Sequence, residues 1–185
     1  MNGPEQAAAL DELAQRAARG EPAALEDLLR RIRPDAVRIC QRLLPYPQDA
    51  EEAAQDALFR ISLKIGTFEG RSRFSTWLYA VASNCARETY RTLRRRSLEA
   101  TSPVQPDRPD PRTTSVMAGT RLDLLEALER LGQERPEAVA PLVLRDVYSL
   151  PYGDIAAELD IPLGTVKSRI HAGRDAIRPY LLPGR

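Results

Sequence analysis

Residues 150–177, LPYGDIAAELDIPLGTVKSRIHAGRDAI, read as a short helix, a tight turn and a second helix. In the first segment Tyr152, Ile155, Ala156 and Leu159 recur at the spacing of one helix face, which directs that face to a core. Pro162 has no place in a helix interior, so the chain leaves the first helix through Asp160 and Ile161, with Gly164 as a flexible corner and Thr165 as the side-chain cap of the next helix. So short a turn packs the two helices at a steep angle. At about 100° per residue, Val166, Ile170, Gly173 and Ile177 share the inner face of the second segment, and Gly173 lets it approach the first closely. The outer side carries Ser168, His171, Ala172 and Asp175, flanked by Lys167 and Arg178, while Arg169 and Arg174 lie where long cations reach phosphates. Two readings fit: a DNA-reading helix-turn-helix, or a helical hairpin with a solvated charged face.

Upstream of it, SLEATSPVQPDRPDPRTTSVMAG at 97–119 crowds Pro103, Pro106, Pro109 and Pro111 into a polar segment. Prolines favour extended conformations, and so little apolar surface does not offset the entropy of ordering. A flexible linker is expected there, dividing the chain into residues 1–96 and 120–185. Of the 185 residues 43% are hydrophobic but only 5% aromatic, and Ala, Leu, Arg and Glu abound without an alternating strand pattern. The fold class expected is all-α: two small helical domains joined by a Pro-rich linker, the second containing the helix-turn-helix. With a net charge of +1, any affinity for nucleic acid must come from local segregation of charge.

Cys40 and Cys85 are far apart, and with the single His171 they make no metal-ligand spacing, so buried free thiols are expected and no metal or other cofactor. Glycine-rich phosphate loops, nucleophile elbows and zinc-protease signatures are missing from the sequence, and nothing proposes catalysis or a small-molecule substrate. No signal peptide or bilayer-spanning apolar run is present, which points to the cytoplasm and against membrane insertion.

In the front half, Leu10, Leu13, Ala14 and Ala17 share a weak helix face that Gly20 ends, and Pro22 opens the next helix. Leu25, Leu28, Leu29 and Ile32 repeat helically; Pro34 breaks or kinks the run; Val37, Cys40, Leu43 and Leu44 resume it, so two stacked pieces are expected. Residues 48–65 are the most regular: Ala50, Ala53, Ala54, Ala57, Leu58, Ile61 and Ile65 make one apolar stripe, with Asp49 as cap candidate. The opposite face gathers Asp49, Glu51, Glu52, Gln55 and Asp56, either a solvated face that suits the helix dipole or a docking surface for a basic partner. A polar loop, Glu69 to Arg73, precedes a helix from about Ser75. Its inner face holds Leu78, Val81, Ala82, Cys85 and Ala86; Asn84, Arg87, Arg91, Arg94, Arg95 and Arg96 fall on exposed turns, opposed by Glu88. Phe68, Phe74, Trp77, Tyr79 and Tyr90 stand nearby, either as core or as rings for stacking unpaired bases.

Three stretches, DAEEAAQDALFRI (49–61), GTFEGRSRFSTWLYAVASNCARE (66–88) and YGDIAAELDIPLGTVKSRI (152–170), resemble in order the regions of an extracytoplasmic-function sigma factor of bacterial RNA polymerase. The resemblance implies a front domain that binds core RNA polymerase and the minus-ten element of promoter DNA, and a rear domain that reads the minus-thirty-five element. By similarity Asp49, Glu52, Gln55 and Asp56 dock on the clamp helices of the polymerase largest subunit. The loop Glu69, Gly70, Arg71, Ser72 and Arg73 captures a flipped base, with Asn84, Arg87 and Arg91 on the same element. Thr165 opens the reading helix; Lys167, Ser168 and His171 face bases, Arg169 and Arg174 face phosphates, and the linker threads the RNA exit path. An anti-sigma factor as restraining partner is expected from the resemblance alone, and no regulatory domain after Arg185. The chain departs from the family at Ala172, where a cation is usual, at Asp160, where the corner is usually Gly, and at Pro141, which is expected to kink its helix. The competing functions are a stand-alone helix-turn-helix regulator of duplex DNA and a protein-interaction module. The aromatic and arginine-rich stretch from Phe68 to Arg96 discriminates, since a duplex-only regulator has no use for it.

Overall fold

Prolines open the helices of this chain. Pro22, Pro47 and Pro136 each stand in a first turn, where the missing N–H is one the helix does not use. A computed structural model describes residues 4–99 and 115–181. The elements run α1 (Pro4–Ala18), α2 (Pro22–Leu43), α3 (Pro47–Lys64), a 3₁₀ turn (Ile65–Thr67), α4 (Phe74–Glu99), α5 (Ser115–Glu134), α6 (Pro136–Leu142), a π turn (Val143–Val147), α7 (Tyr152–Leu159) and α8 (Leu163–Leu181). The fold is all-α, with no strand among the described residues.

In the front domain α1, α2, α3 and α4 pack around Leu28, Ile32, Leu43, Leu44, Ile61 and Phe74, all fully buried. Gly20, at φ +89, makes the left-handed reversal between α1 and α2. The expected break at Pro34 does not occur, since α2 is one helix of 22 residues with Pro34 inside it. Its buried stripe of Ala24, Leu28, Ile32, Ala36, Ile39, Cys40 and Leu43 runs past the proline on one side, so packing against α1, α3 and α4 outweighs the one lost hydrogen bond. Asp49 is not the cap of α3: the N-cap is Tyr46, and Asp49 lies in the first turn, where its charge suits the dipole. The α3 stripe is otherwise as read, with Leu58 half-buried.

In the rear domain α5, α6, α7 and α8 enclose Leu125, Leu128, Leu131, Leu144, Ile155 and Ile170. Pro141 lies in the last turn of α6, and the chain then widens into the π turn, where the Tyr148 N–H donates to the Val143 carbonyl at 3.3 Å. Gly173 is buried, but its close neighbours are Leu142, Ala138 and Leu131 at 3.4 to 3.6 Å from where a Cβ would stand. The small residue therefore seats α8 on α6 and α5, and not on α7 as the sequence suggested. The prolines at 103, 106, 109 and 111 lie outside the described residues, while α4 runs on to Glu99 and α5 starts at Ser115.

The rear domain is seated on α2 and α4 of the front domain. Tyr148 is buried there, its hydroxyl donating to the Ile39 carbonyl at 3.2 Å and its ring 4.8 Å from that of Tyr79. Arg42 donates to the Val147 carbonyl at 3.1 Å. Burial raises the Tyr148 phenol well above its ordinary range, so it is held as a neutral donor.

Candidate functional site

The helix-turn-helix has the expected inner face: Val166, Ile170, Gly173 and Ile177 of α8 are buried, as is Ile155 of α7. Asp160 takes the left-handed corner at φ 52, ψ 47, which an aspartate adopts at modest cost. Thr165 does not cap α8. The Val166 N–H donates to the Pro162 carbonyl at 3.1 Å, so the helix starts at Leu163, and Thr165 is half-buried in its first turn with its carbonyl accepting from the Ser168 hydroxyl at 3.0 Å. Pro162, with its fixed φ, opens the helix without side-chain help.

Lys167, Ser168 and His171 are exposed and share the outer side of α8; Arg169 is half-buried. His171 Nε2 lies 3.4 Å from the carboxylate of Asp175, which also accepts from Arg178 at 2.9 Å. Arg174 is not a free cation. Its guanidinium forks onto Asp146 of the π turn at 2.6 and 2.8 Å, and that hydrogen bond raises its pKa above the usual arginine value. To reach a phosphate it has to leave Asp146.

On α3, Glu52, Gln55 and Asp56 are exposed and Asp49 is half-buried. Phe59 and Leu63, 64% and 68% exposed, continue the same face toward the C-terminal end of the helix. They fall outside the apolar stripe, so periodicity does not mark them; the signal they carry is that of apolar side chains opposite a complete stripe. Beside this face, Arg33, Pro34, Val37, Glu51, Ala54, Gln55 and Leu58 line an open groove between α2 and α3.

The loop from Glu69 to Arg73 turns through Gly70 at φ +70 and is tied to α1 where the Phe74 N–H donates to Asp11 at 2.7 Å, capping α4. Glu69, Arg71 and Arg73 are exposed. Arg71 meets Glu69 and, across the domains, Asp160, each at 3.0 Å. The Ser72 hydroxyl donates to Glu158 of α7. Burial pushes the Glu158 carboxyl above the usual range, against the pull of Ser72 and Arg71.

On α4, Asn84 is exposed and accepts from Arg87. Arg87 does not stand on an exposed turn as expected. It is half-buried where the rear domain meets α4, and that burial, with Arg91 beside it, lowers its pKa. Arg91 pairs with Glu129 of α5 at 2.7 Å. Glu88 is hydrogen-bonded by Arg60 of α3, which holds its carboxyl below the usual range, and it also feels the charges of Arg91 and Arg87 on its own helix. Nor are the rings a row of open stacking platforms. Phe68 and Phe74 are buried 5.4 Å apart, Tyr90 is buried, Tyr79 stacks on Tyr148, and Trp77 is half-buried at 5.6 Å from Phe74.

Both thiols are buried, and burial raises them to about 12 for Cys40 and about 11 for Cys85. Among the described residues no cluster of His, Cys, Asp and Glu is placed to hold a metal ion, and no helix is long and apolar enough to cross a membrane.

Residues 28–96 match the family model for sigma-70 region 2, and residues 121–177 that for sigma-70 region 4. The chain is 35% identical over 177 residues to the ECF RNA polymerase sigma factor SigE of Mycolicibacterium smegmatis, covering 89% of this chain and 65% of that one. It is 28% identical to the ECF RNA polymerase sigma factor SigW of Bacillus subtilis, covering 88% of this chain and 91% of that one. The solved structure of CnrH in complex with the cytosolic domain of CnrY shares the fold at a TM-score of 0.54 and 21% identity, over 93% of this chain and 97% of that one. The chain therefore belongs to the sigma-70 family, in its extracytoplasmic-function group. Its function is that of a non-enzymatic initiation factor, which binds core RNA polymerase and promoter DNA to direct transcription.

Proposed function

We propose that the family's two tasks are divided over three surfaces of this chain. The outer face of α3, with Asp49, Glu52, Gln55 and Asp56, docks on the clamp helices of the polymerase largest subunit, and Phe59 and Leu63 extend that contact as apolar anchors. The loop 69–73, with Asn84, Arg87 and Arg91, holds an extruded base and the backbone of the minus-ten strand, offsetting the few kcal/mol that unstacking costs. On the rear domain Lys167, Ser168 and His171 face minus-thirty-five bases in the major groove, with Arg169 and Arg174 at the phosphates and Thr165 at the helix start. Residues 1–96 and 120–185 are the two working domains, joined by the linker through the RNA exit path. The protein works in the cytoplasm, and an anti-sigma factor that covers the polymerase-binding surfaces restrains it.

The observation that carries this reading is the outer face of α3, where exposed carboxylates and two exposed large apolar side chains share one side of a helix whose other side is fully packed. A solvated stabilising face has no use for Phe59 and Leu63. The test is promoter-directed transcription with purified core polymerase. The wild type initiates; Glu52→Lys with Asp56→Lys, and separately Phe59→Ala with Leu63→Ala, lose core binding while circular dichroism and rear-domain folding stay unchanged. Full core affinity in both variants defeats the α3 assignment, and footprinting of duplex DNA without any polymerase-dependent initiation favours a stand-alone regulator.

A further inference from the structure

Two of the three side chains proposed above to face upstream bases already commit a hydrogen within their own helix. The Ser168 hydroxyl donates to the Thr165 carbonyl at 3.0 Å, and its oxygen keeps lone pairs for a further hydrogen. His171 turns Nε2 toward one oxygen of the Asp175 carboxylate at 3.4 Å, while the other oxygen accepts from Arg178 at 2.9 Å. Beside an anion, the ring nitrogen that carries the hydrogen is the one that faces it; in a neutral imidazole the other nitrogen, Nδ1, is then an acceptor. Lys167, the third side chain, is a donor only. Ala172 belongs to the same arrangement. It is half-buried and brings no charge, so Asp175 is left to His171 and Arg178, whereas the cation usual at that position would stand three residues from Asp175, the spacing of a helical ion pair.

We infer that Asp175 is a specificity-determining residue: it holds His171 as a hydrogen-bond acceptor, so that this part of the reading row selects a base with an amino group in the major groove, adenine or cytosine, and rejects guanine. This rests on the proposal that His171 faces upstream bases. Guanine offers O6 and N7 in that groove, both acceptors, and an acceptor set against them brings lone pairs face to face; adenine N6 and cytosine N4 each offer a hydrogen. Ser168, one turn earlier, adds a second acceptor by the same device, and Lys167 supplies the donor of the row. Asp175 is a positioning residue that acts through the imidazole. Its own charge is offset by Arg178, which lessens its repulsion of the DNA backbone.

The test uses the full chain with core polymerase, on promoters whose upstream element is varied one base pair at a time, at about pH 8, above the ordinary titration range of an imidazole. His171→Ala locates the pair at which a preference is lost. There the wild type is expected to favour adenine or cytosine over guanine about tenfold, the size of one good base contact, and to lose the same factor when adenine is replaced by purine, which lacks the amino group. Asp175→Ala is expected to shrink both ratios to about twofold, and Asp175→Glu to restore them. Because His171 is the only histidine of the chain, imidazole nitrogen-15 resonances read its tautomer without DNA: widely split in the wild type, with Nε2 protonated, and drawn together in Asp175→Ala. If His171→Ala changes no base preference, the inference falls with the base-reading proposal beneath it. A preference for guanine, or one that purine satisfies, overturns the acceptor and leaves base reading standing. Full discrimination in Asp175→Ala, or unchanged resonances, overturns the positioning role. A further change of preference when Asp175→Ala is added to His171→Ala makes Asp175 a direct reader and overturns that role likewise.

Discussion

Lys167, Ser168 and His171 stand on the outer turns of α8 with solvent around them, whereas Arg71, Ser72 and Arg91 of the front domain each hold a carboxylate from the rear domain. Both sets belong to surfaces proposed above to meet DNA, and both read as polar and cationic in the sequence. The difference lies in what covers them. On the proposed roles α8 is open to duplex DNA as it stands, while the front-domain set has first to part from its carboxylate partners.

The contrast can be broken most severely at the thiols. With Cys40 raised from 9.0 to about 12, its thiolate fraction near pH 8 falls about a thousandfold, so native protein resists a disulfide reagent that the unfolded chain consumes at once. Tyr148 lies close enough to Cys40 to sense its charge, and Tyr148→Ala is expected to speed labelling of Cys40 without unfolding α3. Labelling unchanged by that substitution would mean the front domain buries Cys40 unaided. The same shift sets a pH limit. Because folding raises the pKa, this contribution to stability is complete below pH 9.0 and is lost as pH climbs toward about 12, which a series of urea melts follows directly.

Removal of the Tyr148 ring is the next largest effect, about 3 kcal/mol in a urea melt, as for other buried aromatics cut to alanine. Its loss is expected to leave two separable transitions in place of one, which differential scanning calorimetry resolves. On the uncovered surface, Lys167→Ala and His171→Ala are expected to shift preference among upstream bases by about 1–3 kcal/mol per contact, read by transcription from promoter variants. A uniform loss across all variants would make α8 a phosphate binder instead. The smallest change is Gly173→Ala. Its Cβ meets Leu142, Ala138 and Leu131 at ordinary contact distance, so the gain in helix propensity, up to about 1 kcal/mol, is expected as a slightly higher melting temperature.

Periodicity made the buried faces of α3 and α8 legible from their own residues, because each apolar position repeats with the turn of the helix and only one side is available to a core. It also exposed the corner at Asp160, since Pro162 leaves the chain no other route. What it did not carry was the neighbour. Gly173 reads as a close-approach site, but nothing in the chain tells that α6 and α5, not α7, come near it. Arg87 reads as solvated because its helix face is polar; it takes another domain to bury it. Pro34 reads as a break because its local cost is visible, while the packing that outweighs it is spread over residues from Ala24 to Leu43. Thr165 and Asp49 read as caps on side-chain type, but their helices start earlier, at Leu163 and Pro47. Phe59 and Leu63 were legible in principle, as apolar residues opposite a complete stripe.

The fork between Arg174 and Asp146 bears on how the rear domain responds to ionic strength. Each phosphate neutralised by a cationic side chain ordinarily frees about one condensed cation from the duplex, and that release is what makes affinity fall as salt rises. In the phosphate role proposed for it, Arg174 has to strand the Asp146 carboxylate, which gathers a cation in its turn, so part of the released ion is taken back. Upstream recognition by this protein should accordingly tolerate a concentrated cell interior better than its count of arginines suggests.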